Sequence, residues 1–236
     1  MNMIFSYLLL FSSLIVLSLV SVLFFQPRCL LAIATLIVPE VVYFAKTNKL
    51  VIALTIDDGP DARTTPKILE ILRRYGAKAT FFVISNRIKG NERLIADMIS
   101  CKHELGNHLT EDKPSIQLSP QEFEEDLLKA HNVISTFGNL RWLRPASGWH
   151  NTTMTKIAQK YGYQVALGSV FPFDTHIPSS WFASKHILSN VSPGSIIVLH
   201  DNALCGERTA STLEKILPEL SRRGYQVVTL SELFAS

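Results

Sequence analysis

A chain of 236 residues, 47% of them hydrophobic and 18% charged, is long enough for one domain with a sizeable core plus one extra segment. Its formal net charge of +3 is small and dispersed and gives no basis for nucleic-acid binding. No run of like charges, internal repeat or low-complexity tract interrupts it, which excludes solenoid and acidic- or basic-tail classes.

The first expected element is a helix. From Met1 to Pro27 no side chain is charged, and MIFSYLLLFSSLIVLSLVSVLFF supplies the ~20 apolar residues that a transmembrane helix needs. A cleaved signal peptide is the alternative, with Ala32-Ile33-Ala34 as a loose processing site. Against it, the run has no basic start and exceeds the ~7–15 residues of a leader core. Residues 1–45 are therefore expected to form a membrane anchor and linker, and residues 46–236 a domain. Arg28, on the C-terminal flank, pulls that flank toward the cytoplasm, and a second apolar run, CLLAIATLIV, is cut short by Pro39 and Glu40. The orientation is open on these signals; an extracytoplasmic domain is the expectation carried forward. Cys29, Cys101 and Cys205 are too scattered for a disulfide framework or a zinc knuckle and read as buried free thiols.

Strand-like runs follow in order: VIALTI (51–56), ATFFVI (79–84), a weaker HELGN (103–107), RWLR (141–144), QVALGS (164–169), SIIVLH (195–200) and YQVVTL (225–230). Helical segments separate them. Thr65-Pro66 opens KILEILRRY, which Gly76 ends, and Ser119-Pro120-Gln121-Glu122 is a capping box whose helix Gly138 closes. NTTMTKIAQKY ends at Gly162 and TLEKILPELSRR at Gly224, with Pro218 expected to kink or interrupt the latter. Seven strands alternating with helices mean a parallel α/β fold, either an open doubly wound sheet or a barrel. Asp57, Asp58, His108, Arg144, Asp174 and His200 all fall at or just after strand ends. Those ends share one mouth in a barrel, whereas an open sheet scatters them.

Each candidate has a plain alternative. In TIDDGP (55–60) one carboxylate could hold a cation while its neighbour accepts a proton, or the pair could form an acidic turn capping the next helix. His200, leaving an apolar strand, suits an acid or base, or a hydrogen-bonded structural histidine. Arg144 could fix a carboxylate through its planar fork or make a surface ion pair, and Asp174 could simply make an Asx turn. Convergence at one mouth favours chemistry over a run of separate coincidences.

At these residues the chain, from about Leu50 to Phe234, resembles the polysaccharide deacetylase family, the NodB-homology domain of carbohydrate esterase family 4. Thr55-Ile56-Asp57-Asp58-Gly59-Pro60 matches its first motif, Arg144-Pro145-Ala146-Ser147-Gly148 its third, Asp174 its fourth and Leu199-His200 its fifth. The resemblance implies a distorted (β/α)7-type barrel, a deformed TIM barrel, here with an N-terminal transmembrane helix. It implies metal-assisted hydrolysis of an acetamide on an N-acetylated saccharide, chitooligosaccharide or peptidoglycan-type. Carried over residue by residue, Asp58 and His108 would hold a divalent ion, zinc or similar. Asp57 would be the base and His200 the acid, with Arg144 orienting Asp57 and Asp174 pairing His200. Trp149 and Leu199 are the expected substrate contacts.

The second motif departs from the family. His108 is followed by Leu109, and Asp112 stands where a second histidine is expected. Asp112 could be the third ligand, because carboxylate oxygen also binds zinc at about 2.0–2.2 Å; His150 and His176 are outside candidates. Otherwise the site is degenerate and the chain a weak or inactive saccharide-binding module. A hydrolase for a different amide or ester is a third reading.

Overall fold

The protein was described from a computed structural model covering residues 3–235. Among these residues lie strands β1 (Val41–Val42), β2 (Val51–Asp57), β3 (Thr80–Val83), β4 (Glu104–Asn107), β5 (Trp142–Leu143), β6 (Gln164–Ala166), β7 (Ile196–His200) and β8 (Gln226–Val228). They form one parallel sheet in the order β1-β6-β5-β4-β3-β2-β7, with β8 on β2. The sheet is an α/β half-barrel. Its open side is crossed by isolated bridges, Val170 to Ile197 and Phe44 to Ser195. β2 is buried along its whole length, as the unbroken apolar run VIALTI requires of a parallel strand covered on both faces.

The strand register sets the site. Asp57 lies opposite His200 on β7 and Phe82 on β3. Asn107, just before His108, lies opposite Leu143, just before Arg144. Chemistry-bearing residues separated by up to 143 positions thus leave the sheet at the same level.

The helices are α1 (Met3–Phe25), α2 (Arg28–Ile37), α3 (Thr65–Arg74), α4 (Glu92–Ser100), α5 (Pro120–Ile134), α6 (Thr152–Lys160), α7 (Ser180–Asn190), α8 (Gly206–Arg222) and α9 (Leu230–Ala235). α5 starts on the expected capping box: the Ser119 hydroxyl accepts from the Glu122 N–H, and the Glu122 carboxylate accepts from the Ser119 N–H. α8 runs through Pro218 as one helix, contrary to the expected interruption. Its buried face, including Leu213, Ile216, Leu217 and Leu220, packs into the main core, and burial worth ~1.5–3 kcal/mol per large side chain outweighs the lost main-chain bond. β1, α4, α7 and α9 had no counterpart among the expected elements.

The expectations about the N-terminal segment are corrected. Among the described residues no helix is long and apolar enough to cross a membrane. The transmembrane helix, the membrane partner and the anchored extracytoplasmic placement are withdrawn accordingly. The end of α1 is instead tied to the domain. The Phe24 carbonyl accepts from His186 Nε2 (2.8 Å) and Asn190 Nδ2 (3.4 Å). The cysteines also differ from expectation: only Cys205 is buried, Cys101 is half-buried and Cys29 is exposed.

Gly106 in β4 lies against the Phe82 ring, where an added Cβ would come within 2.6 Å of Cδ1 and 2.7 Å of Cε1. Phe82 cannot yield freely, because it is fully buried and the Arg144 guanidinium lies 4.1 Å from its ring centroid. Gly106→Ala is expected to destabilise the fold by about 1–3 kcal/mol through overpacking, read as a lower urea midpoint at unchanged m-value.

Candidate active site

The C-terminal ends of the strands open into a cavity of about 670 Å³ lined by Asp57, Asp58, His108, Asp112, Arg144, Trp149 and His200, among others. A separate cavity of about 390 Å³, lined by Lys78, Tyr225 and Glu232 among others, holds none of these residues.

The loops at the mouth carry an unusual share of left-handed backbone. Asp58 (φ 73°), Leu109 (φ 66°), Ser147 (φ 65°) and Phe173 (φ 57°) follow β2, β4, β5 and β6 respectively. Non-glycine residues in this region are uncommon and pay a steric cost. At Asp58 the consequence is direct. Adjacent residues of a strand point to opposite faces, yet Asp57 and Asp58 both line the one cavity, because the chain turns sharply between them.

Asp57 is buried and paired with Arg144, Nη1 donating to Oδ1 at 2.6 Å. The guanidinium is itself held at all three nitrogens. Nη1 also donates to the Thr55 hydroxyl (2.7 Å), Nε to the Ala166 carbonyl (2.9 Å) and Nη2 to the Leu167 carbonyl (2.5 Å). A planar fork held on several sides cannot swing, so the Asp57 carboxylate is oriented with Oδ2 left over.

His200 at the end of β7 is paired with Asp174. Its Nδ1 lies 3.0 and 3.1 Å from the two carboxylate oxygens, and its main-chain N–H donates to Oδ2 at 2.9 Å. Burial disfavours the imidazolium, but the Asp174 hydrogen bond and charge, with Asp57 and Asp58, outweigh it, and the pKa is pushed up to about 9. The ring is therefore charged at neutral pH, with Nε2 as the nitrogen turned away from Asp174. The Phe171 ring stands edge-on to it, centroids 5.9 Å apart.

Asp58 and His108 form the third pair, Oδ1 to Nε2 at 3.5 Å, both side chains buried. His108 Nδ1 donates to the Arg144 carbonyl at 2.7 Å. A carbonyl only accepts, so in the neutral ring the lone pair lies on Nε2, facing Asp58. Burial opposes charge on both groups. The attraction between them wins, lowering the Asp58 pKa below the usual carboxylate range and raising that of His108. The gap between them thus favours a positive charge. Donors around a four-coordinate divalent ion with ligands at about 2.0–2.2 Å lie roughly 3.3–3.6 Å apart, and the 3.5 Å separation fits. Two donors are suited to a cation; among the described residues no group of three His, Cys, Asp or Glu side chains is assembled for one. Asp112 lines the same cavity but is exposed. His176 is also on the lining, whereas His150 is not.

Trp149 is 70% exposed on the cavity lining and so presents a bare ring face to whatever binds. Leu199, expected beside it, is fully buried in the main core and does not reach the cavity; strand alternation turns it away where its neighbour His200 turns in. Leu204, 84% exposed, takes the rim position instead. Sequence reasoning also passed over Phe171 and Asn202, both on the lining. Asn202, two residues beyond His200, had a detectable signal in that proximity.

Over residues 44–166 the chain matches the family described as Polysaccharide deacetylase. It is similar to the peptidoglycan-N-acetylglucosamine deacetylase of Bacillus cereus, with 37% identity over 189 residues that cover 79% of this chain and 89% of that one. Among solved structures, it resembles a peptidoglycan N-acetylglucosamine deacetylase with a TM-score of 0.79 at 26% identity, over 84% of this chain and 94% of that one. It also resembles a CE4 family pseudoenzyme from Bacillus anthracis, with a TM-score of 0.76 at 27% identity, over 82% of this chain and 68% of that one.

Proposed function

The chain belongs to the polysaccharide deacetylase family, and from that premise we propose that it removes the acetyl group from N-acetylglucosamine units of a peptidoglycan-type saccharide with the aid of a divalent ion, zinc or similar. The observation that carries the reading is the gathering of three oppositely charged pairs, Asp57–Arg144, Asp58–His108 and Asp174–His200, at one cavity. The relatives named for that substrate class support the reading.

Asp58 and His108 would hold the ion, with Asp112 as the candidate third donor. When bound, the ion supplies Lewis-acid polarisation of the acetamide and acidifies the attacking water. Asp57 takes the water's proton on Oδ2, since Oδ1 is occupied by Arg144. His200 gives its Nε2 proton to the departing amine, and Asp174 holds the ring in place and charged. Trp149 offers a ring face on which a sugar can stack.

The test is acetate release from N-acetylglucosamine oligomers and from peptidoglycan fragments by the full chain, with bound metal measured before and after chelation. Metal-dependent release is expected. Absence of both metal uptake and release would overturn the enzyme reading. A second reading, a catalytically weak saccharide-binding module, is favoured by one observation, the exposed position of Asp112 outside any three-donor group. Asp112→Ala separates them: a loss of ten-fold or more in zinc affinity is expected if Asp112 closes onto the ion. Unchanged affinity leaves two protein donors and supports the weak site.

The pH profile provides a further check. The acid works only while protonated, so turnover is expected to fall as pH rises toward about 9, the His200 value. A cation on Asp58 cancels part of the charge that raises it and moves this limb lower. Asp174→Asn is expected to shift the limb down by at least one pH unit; an unmoved limb removes His200 as the acid.

A further inference from the structure

We propose that Asn202 is a positioning residue for Asp58: its amide holds one carboxylate oxygen so that the other alone is presented, beside His108, to a divalent cation. This rests on the metal-centre reading above and deepens it.

Asn202 Nδ2 donates to Asp58 Oδ2 at 2.7 Å. The other end of the amide is fixed independently: Oδ1 accepts from the main-chain N–H of Leu204 (2.9 Å) and of Cys205 (3.0 Å). Those contacts settle which end of the amide is which. Reversed, the NH₂ would face two N–H donors and the oxygen would face a carboxylate, so every contact would be lost. The side chain is therefore a rigid strut between the start of α8 and Asp58. With Oδ2 occupied, Oδ1 is the atom 3.5 Å from His108 Nε2. Asp58 is also gripped through its main chain, where Arg87 Nη1 donates to the carbonyl at 2.7 Å.

A plainer role, capping the turn into α8, accounts for Oδ1 but not for the amide nitrogen. Aspartate caps as well as asparagine does, yet it would set a second carboxylate against Asp58 where the neutral donor now sits. The identity of the residue is explained by Asp58, not by the turn. The placement also links the two halves of the site. His200 faces Asp174, the Asp201 N–H donates to the Asp57 carbonyl at 2.8 Å, and Asn202 reaches Asp58. Three consecutive residues thereby set the relative positions of the proposed acid, base and metal ligand.

The test uses the full chain stripped of metal and titrated with Co²⁺ and Zn²⁺, comparing wild type, Asn202→Ala and Asn202→Ser. Serine retains an oxygen that can cap the turn but falls short of Asp58, so it guards against loss of the fold, which is checked by metal-free thermal melts. Partners outside the ligand set of a metal centre typically change affinity 10–100-fold, and a weakening of that order is expected in both variants. The freed Oδ2 is also expected to let Asp58 bind through both oxygens, raising the coordination number and dimming the visible Co²⁺ spectrum. Affinity and spectrum unchanged in a folded Asn202→Ser protein would overturn the positioning role while leaving the metal centre intact. A wild-type chain that takes up neither ion would overturn both.

Discussion

Asp57→Asn is expected to lower turnover by roughly 10²–10⁴-fold, the range a positioned general base contributes, with metal uptake retained. Asparagine keeps the shape of the side chain, and its carbonyl oxygen can still accept the bond that Arg144 now gives to Oδ1 at 2.6 Å. What it loses is the second oxygen as a proton acceptor, because an NH₂ group stands there instead. Asp58 and His108 do not depend on that group for their own approach, so metal binding and turnover should separate. The measurement is kcat on an N-acetylglucosamine oligomer beside bound metal per chain. A variant within a few-fold of wild type would remove Asp57 as the base.

The largest stability effect is expected at Arg144. The side chain is 3% exposed and serves the Asp57 carboxylate, the Thr55 hydroxyl and the carbonyls of Ala166 and Leu167. Arg144→Ala leaves all of them buried without that donor, and removing one partner of a buried ion pair costs about 3–5 kcal/mol. Against a typical total of about 5–15 kcal/mol, this is a large fraction, visible as a lowered urea midpoint. Arg144→Lys keeps the charge but not the fork, so it should recover part of the stability and little of the activity, Asp57 being no longer fixed. A loss below about 1 kcal/mol in Arg144→Ala would mean that water replaces the guanidinium, and the site would be far more open than its burial indicates.

The parts legible in the sequence were those with short-range signatures. TIDDGP and LHD announce themselves because an apolar strand ending in ionisable groups needs a reason, and the Ser119 capping box is a local hydrogen-bond pattern that folds as read. Leu199 was misplaced for an equally local reason. Next to His200 it looked like part of the site, but strand alternation sends it into the core. The apolar N-terminal run invited a membrane reading from composition alone, whereas the end of its helix is bonded to α7 through Phe24. Asn202 could be noticed from its place two residues beyond His200, but its partner could not, because the contact joins residues 144 positions apart.

Sequence by itself determined the class of fold, the alternation of strands and helices, and the chemical inventory of the mouth: two aspartates, a histidine, an arginine and a second aspartate–histidine set. These follow from hydrophobic periodicity and from the rarity of ionisable groups at the ends of apolar strands. Hydrophobic pattern and spacing did not fix which of these groups pair; the resemblance implied partners, and the tertiary structure is what brings each pair together. Asp57 meets Arg144, Asp58 meets His108 and Asp174 meets His200 because parallel register brings distant strand ends level. It also decided that Asp112, the residue standing in the histidine's place, is exposed rather than grouped with the other donors. A loop residue's reach depends on the path of the loop, and no spacing in the sequence encodes that path.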